Sequence, residues 1–126
     1  MTAHESIAPV ALKAAEELLS RLNGARAVVV ATEDGFAVAC ASHVDLDAGR
    51  LSAITSSMSA IGEAVSIETG IGAVRSLMVE ADGGYLVMRA TRRDGIGLVV
   101  AALVGRETLL GLVAHGVGEM ARGLAS

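Results

Sequence analysis

The fold is decided by the stretch Ser76-Leu77-Met78-Val79-Glu80-Ala81-Asp82-Gly83-Gly84-Tyr85-Leu86-Val87-Met88, which places Asp-Gly-Gly between two short apolar runs. Asp-Gly readily adopts the positive φ angles of tight hairpins, so the stretch predicts two antiparallel strands that pair around Asp82-Gly83. In this register Ser76 lies opposite Arg89 and Leu77 lies opposite Met88. The second strand turns again at Asp94-Gly95 into the apolar run 97–104. The segment therefore predicts a three-stranded meander.

A second hairpin is predicted near the start of the chain. Residues 27–31 and 36–40 are short runs of small and β-branched residues, and Glu33-Asp34-Gly35 separates them. The runs 27–31 and 97–104 are apolar at every position, whereas a strand with one solvated face alternates. We therefore expect these two strands at the centre of the sheet, with helices on both of its sides.

Three helices complete the pattern. The first is predicted over residues 6–22, with Ser6 as its cap, Pro9 in its first turn and Asn23-Gly24 at its end. The middle helix is predicted over residues 47–68, capped by Asp47. The last is predicted over residues 108–124, and its four glycines imply that packing rather than helix propensity holds it.

The middle helix carries three stripes at helical spacing. One is bulky and suits a sheet: Leu51, Ile54, Met58, Ile61 and Val65. The second is mostly small and suits the close approach of another helix: Ala53, Ser57, Ala60, Ala64 and Ile67. The third is polar: Ser52, Ser56, Ser59, Glu63 and Ser66. No other segment of the chain offers an obvious partner for the small stripe.

The composition points to a subunit interface. Apolar residues make up 52% of the 126 residues before the 15 glycines are counted, whereas an average domain has about 45–50% with glycine included. A small monomer cannot hide that much apolar side chain, so part of it is expected between subunits. The length predicts one domain spanning residues 1–126.

Charge and hydropathy exclude several classes of function. A net charge of −4 and only two aromatic residues, Phe36 and Tyr85, argue against nucleic-acid binding. The first residues lack a signal-peptide pattern, and the longest apolar run, 98–104, is too short to span a membrane. The single cysteine, Cys40, permits no internal disulfide and predicts a small core thiol. We expect a cytoplasmic protein with no direct membrane insertion.

No catalytic constellation is visible. The segment 116–121 matches a dinucleotide-binding pattern, but it lies inside a predicted helix with no preceding strand. His4, His43 and His115 are far apart and lack metal-ligand spacing. Ser56-Ser57 has no base to activate a hydroxyl. We therefore expect no catalytic residue, no cofactor and no metal, and a protein that is not an enzyme.

One basic pair is a candidate partner contact. Arg92-Arg93 precedes the Asp94-Gly95 turn. Such a pair could stabilise charge on a phosphate as an arginine finger does, or it could simply solvate a turn at the end of the sheet. The second interpretation is the more ordinary one.

The order of elements and the local sequence resemble the roadblock/dynein light chain domain. The family's first hairpin resembles residues 24–30 followed by Asp34-Gly35-Phe36, and its middle helix resembles residues 51–58 with Gly62-Glu63. The family's Asn-Leu-Gly segment resembles Leu109-Leu110-Gly111, with Leu109 where Asn is usual. The resemblance extends over about residues 7–125.

This resemblance implies an α+β sandwich with a five-stranded antiparallel sheet of order 2-1-5-4-3. The middle helix covers one face, and the N- and C-terminal helices cover the other. Family members form homodimers through the middle helix and the strand at 74–81. The implied interface residues here are Ala53, Ser57, Ala60, Ala64, Ile67, Ser76 and Met78.

The resemblance also implies a function. Bacterial members of this type act beside a small Ras-like GTPase, either as activators of hydrolysis or as scaffolds. The expected function is therefore that of a non-catalytic, homodimeric regulator or scaffold of such a GTPase in bacterial signalling. The alternatives are a module that senses a small ligand and a module for motor or complex assembly.

Overall fold

Five strands form one antiparallel sheet in the order β2-β1-β5-β4-β3. The structure is a computed structural model that describes residues 3–126, with side chains described from Ser6 onward. The elements in chain order are α1 Ala3–Arg21, β1 Ala25–Thr32, β2 Ala37–Ser42, α2 Ala48–Thr69, β3 Ser76–Ala81, β4 Gly84–Arg93, β5 Ile96–Gly105 and α3 Leu110–Leu124. The predicted α+β fold and its strand order are confirmed.

The meander has the predicted register. Ser76 pairs with Arg89 and Leu77 pairs with Met88 across β3 and β4. At the β4–β5 turn, Asp94 and Gly95 have φ angles of 51° and 79°, as a two-residue primed turn requires. At the β3–β4 turn the positive φ falls instead on the next residue, Gly84, at 157°.

Two apolar layers sandwich the sheet. The larger layer joins α1 and α3 to one face, and its fully buried members include Leu18, Val100 and Val117. The smaller layer lies under α2 on the other face. The strands β1 and β5 are buried along nearly their whole length, which confirms their predicted central position.

The two terminal helices pack closely because α3 carries glycine where they meet. A Cβ on Gly116 would lie only 2.7 Å from Cδ1 of Leu18 in α1. Helix α3 begins at Leu110, two residues later than predicted. Thr108 lies before the helix, and its hydroxyl donates a hydrogen bond of 2.7 Å to the carbonyl of Asn23.

The predicted start of the first helix is wrong. Helix α1 begins at Ala3, so Ser6 lies inside it and does not cap it, and Pro9 is also internal. An internal proline removes one hydrogen bond and crowds the preceding turn, so the buried side chains of Ile7 and Ala11 must hold this part of the helix against the core.

Candidate interaction surface on helix α2 and strand β3

Helix α2 has well-defined ends. The Asp47 carboxylate accepts a hydrogen bond of 3.0 Å from the Arg50 amide, which satisfies one of the free donors of the first turn. At the other end Gly70 adopts the left-handed conformation at φ 68°, and its amide donates to the carbonyl of Ser66. The predicted span of 47–68 and the cap at Asp47 are therefore correct to within one residue.

The side of α2 that faces the sheet is largely polar. Ser52, Thr55 and Ser56 are buried there. The Ser56 hydroxyl donates a hydrogen bond of 2.6 Å to the carbonyl of Thr32 at the end of β1. The hydroxyls of Ser52 and Thr55 are buried without a partner among the described residues. Leu51 and Met58 add apolar contacts with the sheet.

The prediction that the whole bulky stripe faces the sheet is wrong. Ile54, Ile61 and Val65 are 48%, 61% and 43% exposed. The reason is that α2 meets the sheet layer through small residues, and a Cβ on Gly62 would lie 3.0 Å from Cδ1 of Leu77. This close approach turns most of the bulky stripe outward. The serines and the glycine on one side of the helix were the sequence signal that could have shown this.

The small stripe also faces solvent. Ala53, Ser57, Ala60 and Ala64 are exposed, and Ile67 is 84% exposed. Around the helix the small stripe lies directly beside the outward bulky residues. Together the two sets form what we call the α2 outer face: Ala53, Ile54, Ser57, Ala60, Ile61, Ala64, Val65 and Ile67.

Strand β3 lies beside this surface at the edge of the sheet. It pairs with β4 alone within residues 3–126, so its other edge presents free backbone donors and acceptors. The predicted interface residues Ser76 and Met78 are exposed, Met78 by 47%. Gly62 of α2 packs against Leu77 of β3. The helix that carries the α2 outer face is therefore in contact with the strand that forms this edge.

A cavity of about 660 Å³ lies between α2 and the sheet. Ser59 and Glu63 line it from the helix, and Ala90 and Val99 line it from the sheet. An exposed ion pair of Arg92 and Glu33, with a nitrogen-to-oxygen distance of 3.9 Å, lies at this cavity. The lining is thus mixed in polarity.

Arg92 and Arg93 do not act as one pair. They lie in β4 rather than in the turn, so their side chains point to opposite faces of the sheet. Arg92 is exposed and donates a hydrogen bond of 2.8 Å to the Gly95 carbonyl. Arg93 is half-buried and donates one of 3.1 Å to the carbonyl of Leu124 at the end of α3. Of the two, Arg92 is exposed and Arg93 is half-buried; their contact with a partner stays a prediction.

The other candidate groups are dispersed. Cys40 is half-buried in β2, and burial raises the pKa of its thiol, so little reactive thiolate forms. His115 pairs with Glu119 one helical turn away, and the side chain of His4 lies outside the described residues. Over the side chains from residue 6 onward, no group of three His, Cys, Asp or Glu residues could hold a metal ion.

The segment that matches a dinucleotide-binding pattern lies inside α3, as predicted. Gly116 and Gly118 are buried in this helix, and the atoms nearest to an added Cβ belong to the side chain of Leu18 at Gly116 and to those of Arg89 and Arg122 at Gly118. None of the helices in the described part of the chain is long and apolar enough to cross a membrane.

These features define an α+β sandwich with an uncovered apolar helix face beside an open sheet edge. The sequence model of the Roadblock/LC7 domain matches residues 12–102. The chain therefore belongs to the Roadblock/LC7 family. No curated protein sequence matches it significantly.

Solved structures share this fold. A Roadblock/LC7 domain from Streptomyces avermitilis is 24% identical, with a TM-score of 0.79 over 89% of this chain and 92% of that one. MglB from Myxococcus xanthus is 17% identical, with a TM-score of 0.75 over 98% and 88%. A structure described as MglB with tetrameric arrangement is 20% identical, with a TM-score of 0.77 over 99% and 90%.

Proposed function

We propose that this protein is a non-catalytic homodimer that regulates or scaffolds a small Ras-like GTPase in the bacterial cytoplasm. The observation that carries the proposal is the α2 outer face. A small protein rarely leaves a contiguous apolar helix face in water unless another protein covers it. We treat residues 1–126 as one domain of this kind.

A second copy of the chain is the occupant that fits this face best. A twofold axis beside α2 would bring its small stripe against the same stripe of the partner, and small residues at positions such as Ala60 and Ala64 allow close helix approach. The adjacent β3 edges could then pair through Ser76–Ala81 of both copies and join two sheets into one. Such pairing satisfies the free backbone groups of an edge strand. Both copies would contribute the same surface, as a twofold interface requires.

Family membership supports the choice of partner. The resemblance to bacterial roadblock domains implies a small Ras-like GTPase, and the solved MglB structures share this chain's fold. The tetrameric arrangement named for one of them supports self-association as a property of such folds. No phosphate cradle of the Gly-Lys-Ser/Thr kind occurs in the sequence, so we assign nucleotide chemistry to the partner.

The homodimer is tested by measuring molar mass with size-exclusion chromatography and light scattering. Ala60→Arg places a charge at the proposed seam and should yield a monomer or an aggregate. The control is Ala114→Arg, which makes the same change at an exposed position of α3 and should leave the dimer intact. A wild-type monomer, or an unchanged dimer for Ala60→Arg, would contradict the proposed interface.

The arginine-finger hypothesis is tested separately from binding. If Arg92 enters the partner's active site, Arg92→Ala should still bind the GTPase but lose on the order of 10³-fold in hydrolysis rate. We expect instead no such loss, because any acceleration should come from repositioning of the partner's own catalytic groups. Single-turnover hydrolysis with wild type and variant distinguishes the two results.

The cavity under α2 favours one alternative, a module that senses a small ligand. Its volume of about 660 Å³ and its mixed lining of Ser59, Glu63 and Val99 would suit a small polar molecule. This alternative gains support if the purified dimer binds neither nucleotide state of a small Ras-like GTPase from the same organism.

A further inference from the structure

Two arginine side chains meet over a glycine on the opposite side of the sheet from α2. Arg89 extends from β4, and Arg122 extends from the last turn of α3. A Cβ on Gly118 would lie 3.2 Å from Nη1 of Arg89 and 3.3 Å from Nη1 of Arg122. The two nitrogens are therefore within 6.5 Å of each other, the sum of these distances. The missing side chain of Gly118 provides the space for both groups.

Local geometry explains how the two groups converge. Gly118 and Arg122 are four residues apart in α3 and so lie on one face of the helix. Helical side chains lean toward the N-terminus, which carries the Arg122 guanidinium back over Gly118. Arg89 reaches the same place from the strand below, because α3 packs against β4.

The neighbouring side chains of β4 show what is unusual about Arg89. Thr91 and Arg93 point to the same face of the sheet, and each donates a hydrogen bond to a main-chain carbonyl of α3, at Ala121 and Leu124 respectively. Among residues 6–126, Arg89 has no main-chain carbonyl of α3 as a hydrogen-bond acceptor. Within the same residues, neither Arg89 nor Arg122 forms an ion pair with a carboxylate. Two like charges thus lie close together without a counter-charge, in a chain whose net charge is −4.

We propose that Arg89, Arg122 and Gly118 form a binding site for a tetrahedral oxyanion of the phosphate class. Two guanidinium groups present parallel N–H donors that match the oxygens of a phosphate, and charge-assisted hydrogen bonds of this kind are the strong ones. A dianion would neutralise both charges. The site is independent of the α2 outer face, so it stands whether or not the proposed GTPase regulation is correct.

The test is a titration of the protein of residues 1–126 with inorganic phosphate at constant ionic strength. Binding is monitored by NMR of backbone amides and arginine Nε–Hε groups. We expect saturable shifts at Gly118, Arg89 and Arg122. Arg89→Ala and Arg122→Ala should each weaken binding about tenfold or more. Arg21→Ala removes another exposed arginine and is the matched control that should bind as the wild type does.

Gly118→Ala supplies a variant that keeps both charges. Alanine favours the helix over glycine, and its Cβ would meet only the flexible ends of the two arginines, so the fold should be retained while phosphate binding weakens. The amide spectrum reports the fold of every variant directly. If Arg89→Ala does not fold, Arg122→Ala and Gly118→Ala decide the outcome.

A second titration with phosphoserine identifies the source of the oxyanion. Tighter binding of inorganic phosphate supports a free anion as the ligand, and tighter binding of phosphoserine supports a phosphorylated side chain. The proposal is overturned if neither anion gives saturable shifts, or if Arg21→Ala loses as much affinity as the variants of the site.

Discussion

Replacing Gly84 by alanine should destabilise the protein strongly, although the position lies beside a surface turn. The φ of Gly84 is 157°, a conformation that residues with a side chain adopt only at a cost of about 1–3 kcal/mol. An added Cβ would also overlap the carbonyl oxygen of Val104 and lie 3.1 Å from its carbon. These neighbours are backbone atoms of the central strand β5, so they cannot rotate away.

We expect a total loss on the order of 3 kcal/mol, from the strain and from overpacking of about 1–3 kcal/mol. This loss corresponds to a fall in Tm of about 12 °C for a chain of this size. The matched control is Gly83→Ala, because no atom lies within 4 Å of a Cβ at Gly83 and its φ is not positive. The control should leave stability unchanged or raise it slightly.

The assay is urea unfolding followed by circular dichroism, with all variants at one protein concentration because association shifts apparent stability. The m-value should stay constant while the midpoint of Gly84→Ala falls. A difference of less than about 0.5 kcal/mol between Gly84→Ala and Gly83→Ala would contradict the predicted strain at Gly84, since surface substitutions without such constraints usually fall within that range.

Further predictions concern the polar contacts of α2 and α3, and urea unfolding measures each of them. Ser56→Ala removes the buried hydrogen bond to Thr32 and should lower the free energy of unfolding by about 1–2 kcal/mol. Thr55→Val removes a buried hydroxyl that has no partner among the described residues, so this change should be neutral or stabilising. Asp47→Ala removes the helix cap and should cost about 1 kcal/mol; an unchanged midpoint would contradict the capping role. Arg93→Ala should cost about 1 kcal/mol by freeing a carbonyl of α3, and Arg92→Ala should cost under about 0.5 kcal/mol because its ion pair is exposed. Equal losses for the two arginines would contradict their assignment to different faces.

The sheet could be predicted from the sequence because the sequence patterns of its strands and turns are local. The Asp-Gly turns determine where strands end, and the Asp82-Gly83 turn sets the register that pairs Ser76 with Arg89. The uninterrupted apolar runs in β1 and β5 indicated burial on both faces. These signals do not depend on the arrangement of distant elements.

The side of α2 that faces the sheet could not be predicted in the same way. A bulky stripe normally indicates the buried face of a helix, but here Ile61 faces solvent and Ser52 is buried. Which side is buried depends on how closely the helix approaches the sheet layer, and Gly62 permits a contact with Leu77 that no periodicity rule anticipates. The outward position of the bulky residues makes sense if a second copy of the chain covers them.

The positions of Arg92 and Arg93 show a related limit of prediction from sequence. Two consecutive basic residues before a turn suggest one charged patch, but a strand sends them to opposite faces. The carbonyl that Arg93 binds belongs to Leu124, which is distant in sequence. Contacts of this kind become visible only when the helix has been placed on the sheet.

The most direct test of the proposed function is the affinity of the purified protein for a small Ras-like GTPase from the same organism. The GTPase is loaded with GDP or with a GTP analogue and titrated against the protein at a concentration where light scattering shows a dimer. A regulator acts through its differential affinity for the two states, so we predict tighter binding to one of them and no hydrolysis of GTP by the protein alone. Equal affinity for both states would contradict a regulatory role, and no binding to either would contradict the proposed partnership altogether.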